Sequence, residues 1–509
     1  MRTGTRGDFR QVKSRNVKSR IWTRLTAALL LAGSMSFAAR GHAQNWPGPT
    51  WTEFSGTNQA AQPDELFGGV VGWNRPEPVG WDERAPGQVG HKTLDEIGKS
   101  ILIWKKAGVT PLVALGYTET WAADKSAREW IDAENIKWTI APNPDGTFTF
   151  CKYTLSGKDW ALQSTWKNPG TELSKWPSAN PTTWTDYVAR TVKFLHAPPY
   201  NIQYFQIWNE ACDNPTTGFW VGNMDDYMRK IHLPAAAIIH AAGAKVVYGG
   251  WPSVRTPAQM TSLFDKYHAW GAIDILDCHY YDPTAMAALR TDADQRGFKK
   301  LGVWQTEHGF MPDKTYVANF YPRVLSWSLT HQWNTPNKYK LFYFAEWAPD
   351  DPKAYGYGNC LRAGSTLNWH GKELKTLSDL FGKDVLSAYS GISSVPALPQ
   401  TFNADTSMQG FAAGKKIVVA VHLKPSDYDQ YSSLTLKFKI PKSQIISAQR
   451  VDLTGNSEAL TPTGSAATSV SVSTQDASGS DARAWNEGDQ KTPRTFYVVL
   501  TCRKAVRGG

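Results

Sequence analysis

Two glutamates in this sequence each end a short apolar segment. Glu210 closes the run Tyr204 to Asn209, and Glu307 closes the run Leu301 to Thr306. Apolar, aromatic runs of this kind are typical of strands buried in a parallel sheet. A carboxylate at the carboxyl end of a barrel strand indicates catalysis, because barrel enzymes build their sites at that rim. Two such carboxylates suit acid/base chemistry on a sugar bond.

Other residues at predicted strand ends could contact a sugar. The sequence contains 23 Trp, 20 Tyr and 20 Phe, and large aromatic side chains both fill cores and offer flat faces for stacking. Glu119 and Glu346 are rival carboxylates. Because side chains alternate along a strand, Glu346 and Trp347 are not expected to face the same pocket. The candidate substrate contacts are Asn74, Arg75, Tyr117, Glu119, Trp208, Asn209, His279, Tyr280, Tyr281 and Trp347.

Residues 1–43 are predicted to be a secretory signal peptide and not part of the fold. A basic region is followed by the apolar stretch Leu25 to Ala39 and by Gly41-His42-Ala43, a small-x-small cleavage site. The alternative is an uncleaved membrane anchor, but the apolar stretch is short for a bilayer span. We therefore expect a bacterial protein that is secreted or periplasmic, with no membrane span after cleavage.

Charge and cysteine content exclude several partners and cofactors. The chain has 55 basic and 45 acidic residues, and residues 1–43 hold 9 of the basic and 1 of the acidic ones. The remainder is close to neutral, which gives no indication of nucleic-acid binding. The five cysteines show no CxxC spacing, so neither a zinc site nor any other cofactor is expected. An odd number leaves at least one thiol unpaired within the chain.

The spacing of strand-like and helix-like segments predicts an α/β fold. Repeated strand–helix units imply parallel strands with right-handed crossovers. We expect a (β/α)8 TIM barrel over residues 44–385, with a doubly wound open sheet as the alternative. Seven strands are clear, and the first is not evident before Leu66. The predicted strands are Leu66–Trp73, Val109–Tyr117, the segments ending at Glu210 and Glu307, Lys245–Gly249, Ile273–Tyr281 and Tyr339–Trp347. The predicted helices are Thr93–Ala107, Thr183–Leu195, Met224–Ala242, Pro257–Trp270, Ala285–Lys299, Tyr316–His331 and Glu373–Leu380.

Two regions depart from this rhythm. A Trp- and Gly-rich insertion from Thr118 to Asn180 follows the third strand, where a barrel enzyme enlarges its substrate groove. Residues 386–509 contain alternating, β-branched runs separated by Gly, Ser, Thr and Asn. They predict an antiparallel β-sandwich. No exposed aromatic strip is evident in it, so we expect this domain to pack on the barrel and stabilise it.

The ordered motifs resemble those of clan A glycoside hydrolases, and family 39 most closely. Trp208-Asn209-Glu210 is similar to the end of strand four in that clan, and Thr306-Glu307 to the end of strand seven. His279-Tyr280-Tyr281 and Trp347 match the ends of strands six and eight, and Val109 to Tyr117 is similar to strand three. The likeness covers roughly residues 66–390.

This resemblance implies a retaining glycosidase. Glu210 would be the acid/base, held protonated by the charge of the nucleophile Glu307. Asn209 would bind the sugar 2-hydroxyl, and Tyr281, with His279, would orient Glu307. Trp347 would form the floor beneath the ring that is cleaved.

The expected partner is therefore an oligosaccharide or polysaccharide. One alternative is a catalytically idle carbohydrate-binding envelope protein on a barrel scaffold. Another is a structural or adhesive envelope protein that uses the sandwich. The sugar, the linkage, terminal or internal cleavage, hydrolysis or transglycosylation, and the oligomeric state stay open at this point.

Overall fold

A computed structural model describes most of the chain beyond residue 45. The described residues are 46–60, 67–76, 79, 93–168, 173–309, 317–331, 335–345, 360–363, 366–424, 427, 431–474 and 494–508. The predicted signal peptide, Glu346 and Trp347 lie outside these ranges. Strands and helices are numbered below in chain order.

Eight parallel strand segments close into a barrel. Hydrogen-bonded neighbours follow the order β3-β2-β1-β13-β12-β11-β10-β9-β4. Because β3 and β4 are consecutive pieces of one chain segment, the two ends of this order meet and the sheet closes. The predicted TIM barrel is confirmed. Its strands are β1 Ser55–Asn58, β2 Trp73–Arg75, β3 Thr110–Pro111, β4 Val113–Leu115, β9 Tyr204–Ile207, β10 Lys245–Val247, β11 Ile275–His279, β12 Gly302–His308 and β13 Lys340–Phe344.

The composition of the first barrel strand, β1, explains why the sequence pattern did not reveal this strand. Its residues Ser55-Gly56-Thr57-Asn58 are small or polar, yet all four are buried. The Thr57 hydroxyl donates to Asn74 Oδ1 at 2.9 Å inside the barrel. A Cβ added to Gly56 would lie 2.5 Å from the Phe342 ring, so a larger residue does not fit. The prediction of a strand at Leu66–Trp73 was wrong, because β2 begins at Trp73 and residues 67–72 form turns, a bend and one isolated bridge between Gly68 and Val71.

Helices surround the barrel, and local sequence signals set their ends. Thr93 and Thr256 form capping boxes with Glu96 and Gln259, which satisfies amides at the helix start. No described helix has the length and apolar character needed to cross a bilayer. The helices are α1 Trp51–Phe54, α2 Leu94–Lys106, α3 Pro181–His196, α4 Met224–Asp226, a π-helical turn Tyr227–His232, α5 Leu233–Ala241, α6 Pro257–Lys266, α7 Pro283–Gln295, α8 Val317–Thr330 and α9 Trp369–Phe381.

The insertion after the third barrel strand forms a four-stranded antiparallel sheet. Its strands are β5 Arg128–Ile131, β6 Ile136–Pro142, β7 Phe148–Ser156 and β8 Asp159–Asn168. One face buries Trp130, Trp138, Ile140, Phe148 and Phe150 in a core of its own, together with Leu173, Trp176 and Val221. The insertion is therefore a folded element and not an irregular loop.

The C-terminal region forms the predicted antiparallel sandwich. A short hairpin of β14 (Arg362–Ala363) and β15 (Thr366–Leu367) precedes α9. One sheet has the order β16-β18-β19-β24-β21-β22, and the other has the order β17-β20-β23. A turn at Gly414 separates β18 from β19. The strands are β16 Leu386–Ala388, β17 Ile392–Val395, β18 Ser407–Ala413, β19 Lys416–Leu423, β20 Ser433–Phe438, β21 Ile445–Val451, β22 Ser457–Leu460, β23 Thr468–Ser473 and β24 Arg494–Cys502.

The six-stranded sheet is buried on both of its faces. Phe411, Val418 and Tyr497 belong to the same core as the barrel helices. The opposite face, which includes Ile417 and Val498, packs on the three-stranded sheet. The Tyr497 hydroxyl also donates to the carbonyl of Ala318 in α8 at 3.3 Å. The sandwich therefore packs on the barrel through an apolar interface, as predicted.

Candidate active site

Glu210 and Glu307 converge at one end of the barrel. Glu210 lies three residues beyond the end of β9, and Glu307 is near the end of β12. One carboxylate oxygen from each, together with a ring nitrogen of His279, lie within 4.8 Å of one another. Each glutamate side chain is 12% exposed. The pair is thus sheltered but reachable from solvent.

The backbone at the end of β9 departs from regular strand geometry. Trp208 and Glu210 have φ of 66° and 42°, a region that residues other than glycine adopt at a cost of about 1–3 kcal/mol each. The Glu210 amide donates to the carbonyl of Gly249 at 2.6 Å, which anchors this bend. As a result the consecutive side chains of Asn209 and Glu210 both reach the barrel mouth, which strand alternation would forbid.

Arg75 connects the two strand ends. Its Nη1 donates to Glu307 Oε2 at 3.2 Å and to Asn58 Oδ1 at 3.0 Å, and its Nη2 donates to Asn209 Oδ1 at 2.5 Å. Its Nε donates to Gln206 Oε1 at 2.7 Å. The guanidinium is 2% exposed. Arg75, a weaker candidate in the sequence, is therefore central, whereas Asn58 and Gln206 were missed.

His279 lies between the carboxylates and is fully buried. Its Nδ1 is 2.9 Å from Glu210 Oε1 and 3.5 Å from Glu307 Oε2. Burial lowers the pKa of His279, but the charge of Glu307 and hydrogen bonds to Asp277 and Glu210 outweigh it and raise the pKa to about 10. The ring is thus a cation near neutral pH. A Cβ added to Gly250 would lie 2.2 Å from His279 Nε2, so this glycine leaves room for the ring.

Asp277 and Thr306 hold the other side of the imidazole. Thr306 donates its amide to Asp277 Oδ1 at 3.0 Å and its hydroxyl to Asp277 Oδ2 at 2.7 Å. His279 Nε2 is 3.2 Å from the Thr306 hydroxyl oxygen. Sequence reasoning missed this support. The available signal was an aspartate in the middle of an otherwise apolar strand.

Tyr280, and not Tyr281, contacts the second glutamate. The Tyr280 hydroxyl donates to Glu307 Oε1 at 3.3 Å. The Tyr281 hydroxyl instead donates to the carbonyl of Arg255. The expectation that Tyr281 orients Glu307 was wrong. Tyr280 has φ of 57°, and this bend exchanges the directions that regular alternation would give to the two rings.

The pKa of Glu307 is raised. Burial raises it most, and the nearby charge of Glu210 adds to this effect. His279, Arg75 and the Tyr280 hydroxyl act in the opposite direction by favouring the carboxylate. Two carboxyl groups this close do not readily ionise together, so the pair is suited to hold one proton between them.

Three other predicted contacts are buried side chains. Trp208 is 1% exposed and donates its indole N–H to the carbonyl of Phe219, so it packs in the core and does not face substrate. Asn74 is fully buried and binds Thr57. Glu119 is buried at the start of the insertion. For Trp208 and Asn74, sequence reasoning identified the correct edge of the barrel but not the direction of the side chains.

Tyr117 lies nearer to the pair. Its ring centroid is 5.4 Å from that of Trp208 and 5.8 Å from that of Phe219, with which it stacks. Burial raises the pKa of Tyr117, and the charges of Arg75, Glu307 and Glu210 also act on it. The hydrogen bond of Tyr117 with Asn209 acts in the opposite direction to burial and connects the phenol to the site.

Glu210, His279 and Glu307 also have the composition of a metal site. The imidazole must be neutral to bind a metal ion, whereas the pKa of His279 is raised to about 10. Proton binding by His279 therefore competes with metal binding at this cluster.

The comparisons with known proteins agree with the fold. No protein-family model and no curated protein sequence matches the chain. Similar solved structures include a monomeric beta-xylosidase from Caulobacter crescentus CB15 (12% identity, TM-score 0.54). A GH30 endoxylanase from Clostridium papyrosolvens C71 and a glucosidase from Croceicoccus marinus each show 10% identity and a TM-score of 0.51. Each alignment covers 90% of this chain and 98% of the other.

This chain shares the fold of these three structures. The likeness extends over both the barrel and the sandwich, since it covers nearly the whole length of these structures. Family 39 in particular stays a prediction.

Proposed function

We propose that this chain is a retaining glycoside hydrolase that cleaves O-glycosidic bonds of an oligosaccharide or polysaccharide. Glu307 is the nucleophile and Glu210 is the acid/base. The observation that carries the proposal is the spacing of the pair, with carboxylate oxygens within 4.8 Å. Retaining enzymes place their carboxyl groups about 5–5.5 Å apart, whereas inverting enzymes leave about 6.5–9.5 Å for a water molecule.

The hydrogen-bond partners support these two roles. Glu307 accepts from Arg75 on one oxygen and from Tyr280 on the other. Donors on both oxygens stabilise a carboxylate, which is the form that attacks. Glu210 interacts with His279 through one oxygen, which leaves the other to carry the proton for the leaving group.

The reaction then proceeds in two steps. Glu307 attacks the anomeric carbon while Glu210 gives its proton to the departing glycosidic oxygen, which leaves a glycosyl ester on Glu307. Water enters, Glu210 takes its proton, and the resulting attack breaks the ester and frees Glu307. In this proposal Asn209, which accepts a hydrogen bond from Arg75, binds the 2-hydroxyl of the sugar, a contact that strengthens in the transition state.

The similar solved structures suggest a substrate class. They act as a xylosidase, an endoxylanase and a glucosidase, so xylose- and glucose-containing chains are the first substrates to test. We propose membership of family 39 on the order of the strand-end motifs, and export from the cell on the N-terminal sequence pattern. An idle carbohydrate-binding protein is less compatible with the intact pair and its hydrogen-bond partners.

A panel of aryl glycosides and oligosaccharides tests the proposal. Proton NMR in deuterated buffer identifies the anomer that forms first. We expect the product to have the same anomeric configuration as the substrate. An inverted first product, or binding without turnover of every compound in the panel, contradicts the proposed mechanism.

A further inference from the structure

One end of the sandwich is strongly basic, although the chain beyond residue 43 is close to neutral. Its charged residues come from four segments, which are the lead into β16, the turn between β18 and β19, the link from β20 to β21 and the tail after β24. Eight of these residues are basic and one, Asp384, is acidic. The basic residues, which we call the basic end, are Lys383, Lys415, Lys416, Lys439, Lys442, Arg503, Lys504 and Arg507.

Backbone hydrogen bonds bring the four segments together. The Arg503 amide donates to the Gln444 carbonyl at 2.8 Å, and the Val506 amide donates to the Gly414 carbonyl at 2.8 Å. The start of β16 pairs with the end of β18 beside the same turn. Seven of the eight basic residues are exposed, and Lys416 is half-buried. A concentration of one charge sign at a surface attracts a partner of the opposite sign.

Exposed apolar side chains lie among these charges. Ile446 is 60% exposed, the highest value among the large apolar residues that the structure describes, and Val385 is 52% exposed. Ile446 is two residues beyond Gln444, and Val385 follows Asp384. A surface with both kinds of group suits a bilayer with anionic headgroups, because charge attraction and burial of apolar side chains both contribute to binding there. A soluble polyanion would use the charges alone.

The basic end lies on the side of the barrel away from the carboxyl pair. Lys416 Nζ donates to the carbonyl of Leu380, near the C-terminal end of α9, at 3.0 Å. Barrel helices run antiparallel to the strands, so this end of α9 lies where the strands begin. The Leu386 amide also donates to the carbonyl of Pro49, which precedes α1 and β1. Because the carboxyl pair is at the opposite strand ends, a partner at the basic end leaves the barrel mouth open.

We infer that the basic end is a docking surface for bilayers that contain anionic phospholipid, with the barrel mouth directed away from the lipid. Ile446 and Val385 enter the headgroup region, and the surrounding basic side chains contact lipid phosphates. This inference goes beyond the proposed function and does not depend on it. It predicts that the protein acts at a membrane surface on substrates that approach from the opposite side.

Sedimentation with lipid vesicles tests the inference. The unit from Trp46 to Gly509 is compact by itself, so the protein is tested from residue 44, without the basic segment 1–43 that would bind the same vesicles. We expect binding to vesicles of equal parts phosphatidylglycerol and phosphatidylcholine but not to phosphatidylcholine alone, and weaker binding as the salt concentration rises.

Charge variants locate the surface. One variant carries four substitutions in the basic end, Lys415→Gln, Lys439→Gln, Lys442→Gln and Lys504→Gln. Since each basic residue near an anionic surface contributes about fivefold, its affinity should fall by about tenfold or more. The matched control removes four exposed lysines elsewhere and should bind like the wild type; its substitutions are Lys99→Gln, Lys158→Gln, Lys193→Gln and Lys299→Gln. Equal thermal midpoints exclude a folding effect. No binding to the anionic vesicles, or an equal loss in both variants, overturns the inference.

An apolar substitution distinguishes a bilayer from a soluble polyanion. Ile446→Ser should weaken vesicle binding by about threefold or more, yet leave binding to dextran sulfate unchanged. Val395→Ser, at a 52% exposed position outside the basic end, is the control. If Ile446→Ser binds vesicles like the wild type, the surface recognises charge alone and the bilayer is excluded as its specific partner. Hydrolysis of aryl glycosides is measured separately, so failure of lipid binding leaves the proposed function intact.

Discussion

At the scale of single residues, the site is a balance of charges in a buried space. Arg75 and His279, whose pKa is raised to about 10, supply two cations next to Glu210, Glu307 and Asp277. These cations act on the pKa of Glu307 in the direction opposite to burial and to the charge of Glu210. They thus favour the carboxylate form of Glu307, which is the form that the proposed nucleophile needs.

The two glutamates should respond differently to substitution. Glu307→Gln is expected to abolish hydrolysis of all glycosides, because an amide cannot form the glycosyl ester. Glu210→Ala should retain the first step on aryl glycosides with good leaving groups, which need no proton. Steady-state and burst kinetics measure both effects. Substantial activity of Glu307→Gln on any substrate contradicts the assignment of the nucleophile.

Removal of the buried imidazolium should move the pH profile. The positive charge of His279 lowers the pKa of Glu307, so in His279→Asn this pKa rises. The acidic limb of kcat/KM, which requires ionised Glu307, should shift to higher pH. His268→Asn is the matched control, since His268 is exposed and has φ of 51°, which asparagine tolerates. An acidic limb that stays in place contradicts the role of His279.

The sequence identified the chemistry of the site better than its geometry. Glu210, Glu307, Asn209 and His279 meet as strand ends must in a closed parallel barrel. The side-chain directions of Tyr280 and Tyr281 were predicted the wrong way round. Tyr280 has a positive φ, which reverses the side-chain alternation that a sequence pattern assumes. Arg75 was underrated, since its four acceptors come from strands distant in the sequence.

At the scale of elements, Asp213 joins the inserted sheet to the segment that carries Glu210. Its carboxylate accepts the Ala133 amide at 2.9 Å and Arg255 Nη2 at 2.6 Å. The ion pair is buried, with Arg255 2% and Asp213 12% exposed. Removing one partner of a buried pair leaves an uncompensated charge. The loop from Glu210 to Asp213 is too short to absorb a displacement of its far end. The insertion therefore has a route by which it positions the acid/base.

Asp213→Asn should lower stability and weaken acid catalysis. We expect a loss of about 3 kcal/mol in the free energy of unfolding. Activity should fall more on glycosides with poor leaving groups than on those with good ones, because the former need the proton from Glu210. Lys167→Gln, which breaks an exposed pair in the same sheet, should change stability by less than about 1 kcal/mol. An equal loss on all leaving groups indicates a purely structural role for Asp213.

Elements with a regular hydrophobic period were predicted well, whereas elements that lack this period were not. Helix α2 begins at the residue after Thr93, where the capping pattern indicates, and the apolar stripe of α3 gives its extent. Strand β1 has no apolar pattern, because its polar side chains bond inside the barrel. The sheet formed by the insertion was not predicted, because its strands are half exposed and their composition resembles that of a loop.

At the scale of the whole molecule, the six-stranded sheet is shared by two cores. One face completes the barrel and the other completes the sandwich. Arg323 of α8 donates to the carbonyl of Phe402, and Lys416 donates to the carbonyl of Leu380 at 3.0 Å, which adds polar contacts at the interface. Neither part can bury its apolar surface alone, so the two should unfold together.

A substitution in the shared sheet tests this coupling. Phe411→Ala removes a fully buried ring on the barrel-facing side and should cost about 3–5 kcal/mol. The expected result is a single denaturant transition, moved to lower concentration, in which activity and far-UV circular dichroism are lost together. Lys437→Ala, on the exposed face of the other sheet, should shift the midpoint little. Separate transitions for activity and circular dichroism contradict the coupling.

The position of β24 has a consequence for synthesis on the ribosome. This strand is the last in the printed sequence, yet it lies between β19 and β21 in the centre of the six-stranded sheet. Until residues 494–502 emerge, β19 and β21 lack the strand that lies between them. Part of the apolar face of α8 and α9 then stays uncovered. Domains usually fold as they are made, from the N-terminus onward. Here part of the barrel's apolar surface stays uncovered until β24 has emerged, so products truncated before residue 494 should be recognised by chaperones and degraded.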